Sequence, residues 1–266
     1  MTQNAISAGG VAVERGLRGK VVVVAGAATG LGAASARRLA AEGAKVVVAD
    51  VNRAGAEQTA AAIVEAEGEA VAMRFDISDD DAVQGLIAST VRTYGRLDAV
   101  HINAGDMSAV SKDTDVVDID LEVWDRTIAV NLRGHMLVTR HAVPRLLDGG
   151  GGAIVYTSSI ASFAGEPKRP AYAVTKAGIN ALARHVASRW GKDGVRANAI
   201  TPGLILTPEI REGAPPEMLK AMLARTRSPR HGEADDVAGM VAYLMSDEGS
   251  WINGQTVNVD GGTVLR

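Results

Sequence analysis

The chain has 266 residues, 47% of them apolar, and a formal net charge of −3 at pH 7. This length suits a single domain with one well-packed core, and the charge argues against nucleic acid or an anionic membrane as a partner. The sequence contains no cysteine, which excludes disulfides and thiolate metal sites. Residues 1–18 lack the features of a signal peptide, and the uncharged run 21–36 is too short to span a bilayer. We therefore expect a cytoplasmic protein.

Apolar runs of strand length alternate with amphipathic stretches of helical length along the whole chain. The predicted strands are 21–25, 45–49, 70–75, 98–102, 153–157, 196–201 and 256–259, and the predicted helices are 30–42, 53–67, 79–94, 121–147, 171–190 and 234–246. The strands lack period-two alternation, as expected when helices cover both faces of a sheet. The pattern predicts an α/β protein with a doubly wound parallel sheet. Ser78 is the predicted N-cap of the helix that starts at 79.

The first predicted strand runs into a turn with glycines at 26, 30 and 32, in the stretch VVVVAGAATGLG. Glycine lets the backbone approach a pyrophosphate closely, and the helix that follows presents free N–H groups and a partial positive charge. The spacing differs from Gly-x-Gly-x-x-Gly. The turn alone therefore leaves two readings open, a phosphate site or a tight strand-to-helix connection.

Asp50 ends the second apolar run, KVVVAD. A carboxylate at this place accepts hydrogen bonds from an adenosine ribose and repels a 2′-phosphate, so it favours NAD over NADP. Thr29, inside the glycine turn, supplies no compensating cation, whereas Arg53 would soften the preference. The alternative is that Asp50 only caps the next helix.

Tyr172 and Lys176 lie four residues apart near the start of a predicted helix, so their side chains share one face. Pro170 suits the first turn of that helix. An ammonium about 4 Å from a phenol favours phenolate by roughly 4 kcal/mol, or about three pKa units, which predicts proton exchange near neutral pH. Ser159, after the strand AIVYTSS, is placed to hydrogen-bond the same substrate oxygen. Taken singly, these residues also fit a surface pair and a turn.

Several segments together resemble the short-chain dehydrogenase/reductase family over residues 19–262. They are GAATGLG, NAG at 103–105, IAVNLRG around Asn131, Ser159, YAVTK, and PGLILT at 202–207. The resemblance implies a single Rossmann-type domain with seven parallel strands and helices on both faces, usually a homotetramer, that binds a nicotinamide dinucleotide. It divides the chain into an N-terminal extension, 1–18, and an oxidoreductase domain, 19–266, with a substrate lid at about 207–227.

The resemblance also implies four catalytic residues. Tyr172 would be the acid/base, and Lys176 would lower the pKa of Tyr172 and hold the nicotinamide ribose. Ser159 would polarise the carbonyl or alcohol. Asn131 would bend its helix and hold a water that relays protons to Lys176.

The cofactor contacts implied by the resemblance fall at five places. The glycine turn would hold the pyrophosphate, Asp50 the ribose, the stretch after the third strand the adenine, the NAG segment the floor of the cleft, and Thr207 the carboxamide. The residues are Gly26, Thr29, Gly30, Leu31, Gly32, Asp50, Asp76, Ile77, Asn103, Ala104, Gly105, Tyr172, Lys176, Pro202, Gly203 and Thr207. One departure from the family is Ala25, where a threonine commonly steadies the turn.

Other polar residues are not assigned to the site. The five histidines show no metal spacing, so no metal site is predicted, and His135 and His141 are expected to be structural or solvent-facing. The acidic run of Asp113, Asp115, Asp118, Asp120 and Glu122 is expected to be a solvated loop, although it borders the family's substrate cleft. Met218 and Met222 are expected to pack in helices and to cover that cleft.

The sequence thus predicts hydride transfer between NAD(H) and a small-molecule secondary alcohol or ketone. A catalytically silent dinucleotide-binding regulator is disfavoured because all four catalytic residues are present. A sugar-nucleotide epimerase-like enzyme is disfavoured because no substrate subdomain follows the last strand. Enoyl reduction is disfavoured by the four-residue Tyr–Lys spacing. Segments 106–113, 162–169 and 207–225 would wall the cleft, and sugars, cyclic alcohols, hydroxy acids, steroids and oxoacyl thioesters all remain open as substrates.

Overall fold

The computed structural model describes residues 16–265. Seven strands form one parallel sheet in the order β3-β2-β1-β4-β5-β6-β7. They are β1 (Val21–Ala25), β2 (Lys45–Asp50), β3 (Glu69–Arg74), β4 (Ala99–Ile102), β5 (Gly152–Thr157), β6 (Val195–Pro202) and β7 (Thr256–Val259). The strand order reverses between β1 and β4, and such a switch point opens a crevice at the carboxyl ends of the strands.

Ten α-helices connect and cover the strands within the described residues. They are α1 (Gly30–Ala41), α2 (Arg53–Glu65), α3 (Asp80–Tyr94), α4 (Met107–Val110), α5 (Leu121–Ile128), α6 (Gly134–Asp148), α7 (Pro170–Trp190), α8 (Pro208–Gly213), α9 (Pro216–Ala224) and α10 (Ala234–Met245). A π-helical turn, Ala129–Arg133, joins α5 to α6. No described helix combines the length and the apolar character needed to cross a membrane.

The buried apolar side chains form one cluster on each face of the sheet. In β1, Val23 belongs to the cluster that includes Leu137 of α6 and Ile179 of α7. Val22 belongs to the other, with Leu39 of α1. Because β1 and β2 are buried on both faces, their sequences are continuous apolar runs rather than alternating ones. The predicted doubly wound fold is confirmed.

Two local predictions are wrong. The stretch predicted as one helix over 121–147 is two helices separated by the π-helical turn. Asp79, not Ser78, caps α3, since its carboxylate accepts the N–H groups of Asp81 and Ala82. Ser78 instead donates to Asp76. Of the predicted N-terminal extension, residues 1–15 lie outside the described residues.

Candidate active site

The glycine turn between β1 and α1 leaves no space for side chains at Gly26 and Gly32. Gly26 has φ +88°, and a Cβ added there would lie 2.5 Å from the Cα of Ala104. A Cβ on Gly32 would lie 1.9 Å from the Gly26 carbonyl oxygen, and Gly30 has φ +56°. Thr29 precedes α1 without capping it through its side chain. The first N–H groups of α1 are thus available to an anion, and the cradle fits a pyrophosphate.

Asp50 ends β2 beside this turn. One carboxylate oxygen accepts the Ala28 N–H at 2.9 Å, and the other accepts the Asn52 N–H at 2.9 Å. Asn52 is the residue that caps α2, so the alternative reading of Asp50 as that cap is wrong. Each oxygen keeps a lone pair for a further donor such as a ribose hydroxyl.

The stretch after β3 lies farther along the same edge of the sheet. Asp76 accepts hydrogen bonds from the backbone and side chain of Ser78 at 2.9 and 2.6 Å. These bonds lower the pKa of Asp76, which stays ionised. Ile77 is buried, and a Cβ on Gly134 would lie 2.8 Å from its side chain. The two residues predicted to meet adenine are therefore held in place.

The NAG segment follows β4 and is tied to the glycine turn. Asn103 Nδ2 donates to the Gly26 carbonyl at 2.8 Å, and the N–H groups of Asn103 and Ala104 both donate to Ala25. A Cβ on Gly105 would lie 3.5 Å from Asn131 Oδ1. Ala25 has no hydroxyl to steady the turn, and the Asn103 side chain supplies one bond that does so.

Asn131 sits in the π-helical turn, completely buried. Its Oδ1 accepts the Asp106 N–H at 2.8 Å. Its Nδ2 is buried and meets no acceptor among the described residues. A buried amide N–H without a partner costs free energy, so this position favours a bound water or ligand group.

Tyr172 and Lys176 share one face of α7, next to the end of β5. The Lys176 ammonium lies 5.5 Å from the centroid of the Tyr172 ring and donates to the Thr157 carbonyl at 2.9 Å. Ser159, two residues farther along the chain, accepts the Ala161 N–H through its hydroxyl and interacts with the Tyr172 phenol. The structure therefore brings the three predicted side chains together.

The electrostatics of this pair differ from the prediction. Burial raises the pKa of Tyr172, and the opposing effects of Ser159 and Arg169 do not offset it. Burial also lowers the pKa of Lys176 to about 8. In the protein by itself burial of the phenol dominates and raises the pKa of Tyr172, so the predicted lowering by Lys176 stays a prediction for the enzyme with its cofactor bound.

The loop after β6 approaches the glycine turn. Gly203 approaches Asp260 so closely that a Cβ would lie 2.9 Å from its Cα. Thr207 Cγ2 lies 3.5 Å from the Cβ position of Gly30. Thr207 therefore faces the turn predicted to hold the cofactor, with α8 and α9 following it. The partly exposed Met218 lies on α9.

The histidines and the acidic run, which the sequence analysis does not assign to the site, differ in their surroundings. His135 is completely buried, and His141 contacts Asp80 at 2.6 Å. No group of three or more metal-ligating side chains occurs among residues 16–265.

Most of the acidic run is exposed, as expected for a solvated loop. The expectation fails for Asp113, which is 3% exposed and accepts the Tyr172 N–H at 2.8 Å. Sequence spacing carries no signal for this contact, because 59 positions separate its two residues.

Comparisons with known proteins find a family model and relatives that match most of the chain. The family model described as "Enoyl-(Acyl carrier protein) reductase" matches residues 26–264. A probable short-chain type dehydrogenase/reductase of Bradyrhizobium diazoefficiens is 40% identical, over 93% of this chain and 88% of its own length. The 7alpha-hydroxysteroid dehydrogenase of Bacteroides fragilis is 34% identical, over 93% and 95%. A solved structure of 7alpha-hydroxysteroid dehydrogenase, complexed with NADH and 7-oxo glycochenodeoxycholic acid, superposes with a TM-score of 0.88. It is 30% identical, and the match covers 95% of this chain and 97% of that one.

Proposed function

The chain belongs to the short-chain dehydrogenase/reductase family and is a dinucleotide-dependent hydride-transfer oxidoreductase, and we propose that it interconverts a secondary alcohol and its ketone with NAD(H). The observation that carries the proposal is the meeting of Tyr172, Lys176 and Ser159 after β5, at the same edge of the sheet as the glycine turn. An acid/base, a cation and a hydroxyl placed together at a cofactor cleft suit proton exchange with an alcohol oxygen.

The cradle at Gly26, Gly30 and Gly32 would hold the pyrophosphate against the start of α1, and Thr207 would cover it. Asp76 and Ile77 would line the adenine pocket, and the NAG segment would form the floor. When bound, the nicotinamide accepts or donates the hydride, and its oxidised ring carries a positive charge.

Tyr172 exchanges the proton in this proposal. In the direction of oxidation its phenolate takes the hydroxyl proton of the substrate, and in reduction its phenol donates a proton to the carbonyl oxygen. Ser159 hydrogen-bonds the same oxygen and orients it. Lys176 holds positive charge beside the ring, and Asn131, with its free buried N–H, holds a water that passes protons toward Lys176.

The preference for NAD over NADP rests on Asp50. Its carboxylate is fixed at the glycine turn by the Ala28 and Asn52 N–H groups. Arg53, which would attract a 2′-phosphate, is instead paired at 2.7 Å with Glu57, one turn farther along α2. Both observations favour a free ribose hydroxyl at this place over a phosphate.

A substrate panel tests the proposal. We expect NADH oxidation with at least one of cyclohexanone, a 7-oxo steroid and a 3-oxoacyl thioester, or NAD reduction with L-rhamnose. The relatives include proteins named for a hydroxysteroid, a hydroxycyclohexanecarboxylate, a 3-oxoacyl-[acyl-carrier-protein] and L-rhamnose. A trans-2-enoyl thioester is included because of the family model's description. Turnover of the enoyl compound alone, or NADH binding without any turnover, would contradict ketone reduction.

A further inference from the structure

The helix that carries Tyr172 begins without a cap of its own. Arg169 is the residue at the N-cap of α7, and its side chain accepts no hydrogen bond from the helix. Tyr172 is the third residue of α7, so its backbone N–H is one of the groups that the helix leaves without a partner. Something else must accept it.

Asp113, in the loop after α4, is that acceptor. Its Oδ2 accepts the Tyr172 N–H at 2.8 Å, and its Oδ1 accepts the Ala171 N–H at 3.3 Å. The Arg169 N–H donates to the carbonyls of Asp113 and Thr114 at 3.2 and 2.8 Å. Four contacts thus run from the start of α7 into two consecutive residues of a distant loop.

The charge of Asp113 suits this place. The side chain is 3% exposed and forms no ion pair with any residue from 16 to 265. The free N–H groups and the positive end of the α7 dipole are therefore its counter-charge, and such charge-assisted bonds are stronger than neutral ones. The Asp113 carboxylate and the first turn of α7 therefore stabilise each other.

The backbone at the junction is constrained as well. Arg169 has φ +68°, one of two positive values among the described non-glycine residues. Its side chain is paired with Glu166, and both side chains act electrostatically on the Tyr172 phenol. A residue held in this region of φ and ψ persists only where its surroundings determine it strongly, as they often do at active sites.

We propose that Asp113 is a positioning residue for the reaction, because it fixes the first turn of α7 and so sets where the Tyr172 hydroxyl lies relative to Ser159 and Lys176. The proposal rests on the proposed role of Tyr172. A misplacement of about 1 Å in a reacting group can cost roughly 100-fold in rate, and Tyr172 lies in the turn that Asp113 holds.

The test compares Asp113→Ala with Asp79→Ala. Asp79 accepts the N–H groups of Asp81 and Ala82 at the start of α3, so both substitutions remove a carboxylate that accepts two N–H groups at a helix start. Each should lower the melting temperature by about 2–4 °C. Only Asp113→Ala should lower kcat, by roughly 10- to 100-fold, with the Kd for NADH unchanged. Asp113→Asn keeps one acceptor oxygen and should fall between wild type and Asp113→Ala. The probe is NADH with the ketone of the panel that the wild type reduces fastest.

A second readout needs no substrate. The phenol of Tyr172 is titrated by ultraviolet absorbance, as the difference between each protein and its Tyr172→Phe counterpart. Lys176, Ser159, Arg169 and Glu166 face this phenol, and burial raises its pKa. In Asp113→Ala the freed first turn admits water, so the titration should move down toward pH 10. In Asp79→Ala it should stay where it is in the wild type.

The outcomes separate this inference from the proposed function. If Tyr172→Phe keeps full turnover, the role of Tyr172 is wrong. If Tyr172→Phe is inactive while Asp113→Ala matches Asp79→Ala in both kcat and phenol titration, the positioning role alone is overturned. Should Asp113→Ala fail to fold, Asp113→Asn decides, and wild-type values in both measurements would overturn the inference.

Discussion

At the scale of single residues, the reacting pair shows how burial changes an ion-pair argument. Because Tyr172 and Lys176 lie four residues apart on a helix, the sequence predicts a cation beside a phenol. In the structure the Lys176 ammonium lies 5.5 Å from the centroid of the Tyr172 ring. Burial nevertheless raises the pKa of Tyr172 and lowers that of Lys176 to about 8. The proposed ionisation of Tyr172 near neutral pH would draw on further positive charge, which the oxidised nicotinamide ring would supply.

Lys176→Met should stabilise the protein at pH 7. The pKa of Lys176 is about 8 in the folded protein and 10.5 as the ordinary value, so keeping it protonated when folded costs free energy below pH 8. Removing this cost would stabilise the protein by about 3 kcal/mol at most. The loss of the Lys176 hydrogen bond to Thr157 reduces that gain. Between pH 8 and 10.5 the unfolded state binds more protons, so wild-type stability rises with pH across this window.

Urea unfolding at pH 7 and pH 10 measures this effect. The advantage of Lys176→Met over the wild type should be about 1–3 kcal/mol at pH 7 and should shrink at pH 10. An advantage that is equal at both pH values would contradict the depressed pKa.

Asp50→Asn should relax the choice of cofactor. The substitution keeps the shape of the side chain and removes the charge that repels a 2′-phosphate. The ratio of kcat/KM with NADP to that with NAD should rise about 10-fold, or about 1.4 kcal/mol. Glu65→Gln, which removes an exposed charge from α2, should leave the ratio unchanged. A wild-type enzyme that already prefers NADPH would refute the role of Asp50.

At the scale of secondary-structure elements, the sequence predicted every strand to within one residue at each end or better. For β1 and β2 the reason is that a strand buried on both faces is an uninterrupted apolar run, which stops before Gly26 in one case and at Asp50 in the other. The helix over 121–147 was less predictable, because a π-helical turn adds a residue without breaking the apolar pattern. The cap of α3 was misplaced by one residue between two polar neighbours, Ser78 and Asp79.

Gly32→Ala should disable the turn that precedes α1. The added Cβ would lie 1.9 Å from the Gly26 carbonyl oxygen, so the backbone of the turn must shift. We expect a loss of about 1–3 kcal/mol in the free energy of unfolding and loss of NADH binding. Thermal unfolding with and without NADH measures both.

Gly85→Ala is the matched control for that substitution. Gly85 lies in α3, and nothing lies within 4 Å of its Cβ position. Alanine there should stabilise the helix by about 0.5–1 kcal/mol and leave the NADH shift intact. An NADH shift retained in Gly32→Ala would contradict a cofactor cradle at this turn.

At the scale of the whole molecule, the parallel sheet gathers residues from distant parts of the sequence at one edge. The glycine turn, Asp50, Asn103 and Ser159 all follow the carboxyl ends of strands, so fold class and most of the candidate site were predictable from the sequence. Asp113 was not, because its contact with Tyr172 of α7 joins residues that are 59 positions apart in the sequence. The local sequence does not distinguish Asp113 from Asp115 and Asp118, which lie in the same acidic run and are exposed.

The homotetramer stays a prediction at this scale. Light scattering of the purified protein should give four times the chain mass of 27.5 kDa. The side chain of Trp251 is 97% exposed in the single chain, so assembly that covers it should shift its fluorescence to shorter wavelength on association. A monomeric mass at micromolar concentration would contradict the prediction.

Tyr172 is the acid/base of the proposed reaction, and its hydroxyl exchanges the proton with the substrate oxygen. This role is tested most directly by single-turnover reduction of the fastest ketone of the panel by Tyr172→Phe with saturating NADH, alongside NADH fluorescence titration. We predict a rate at least 1,000-fold below the wild type, about 4 kcal/mol, with the Kd for NADH within about twofold of the wild type. A rate within tenfold of the wild type would contradict the account.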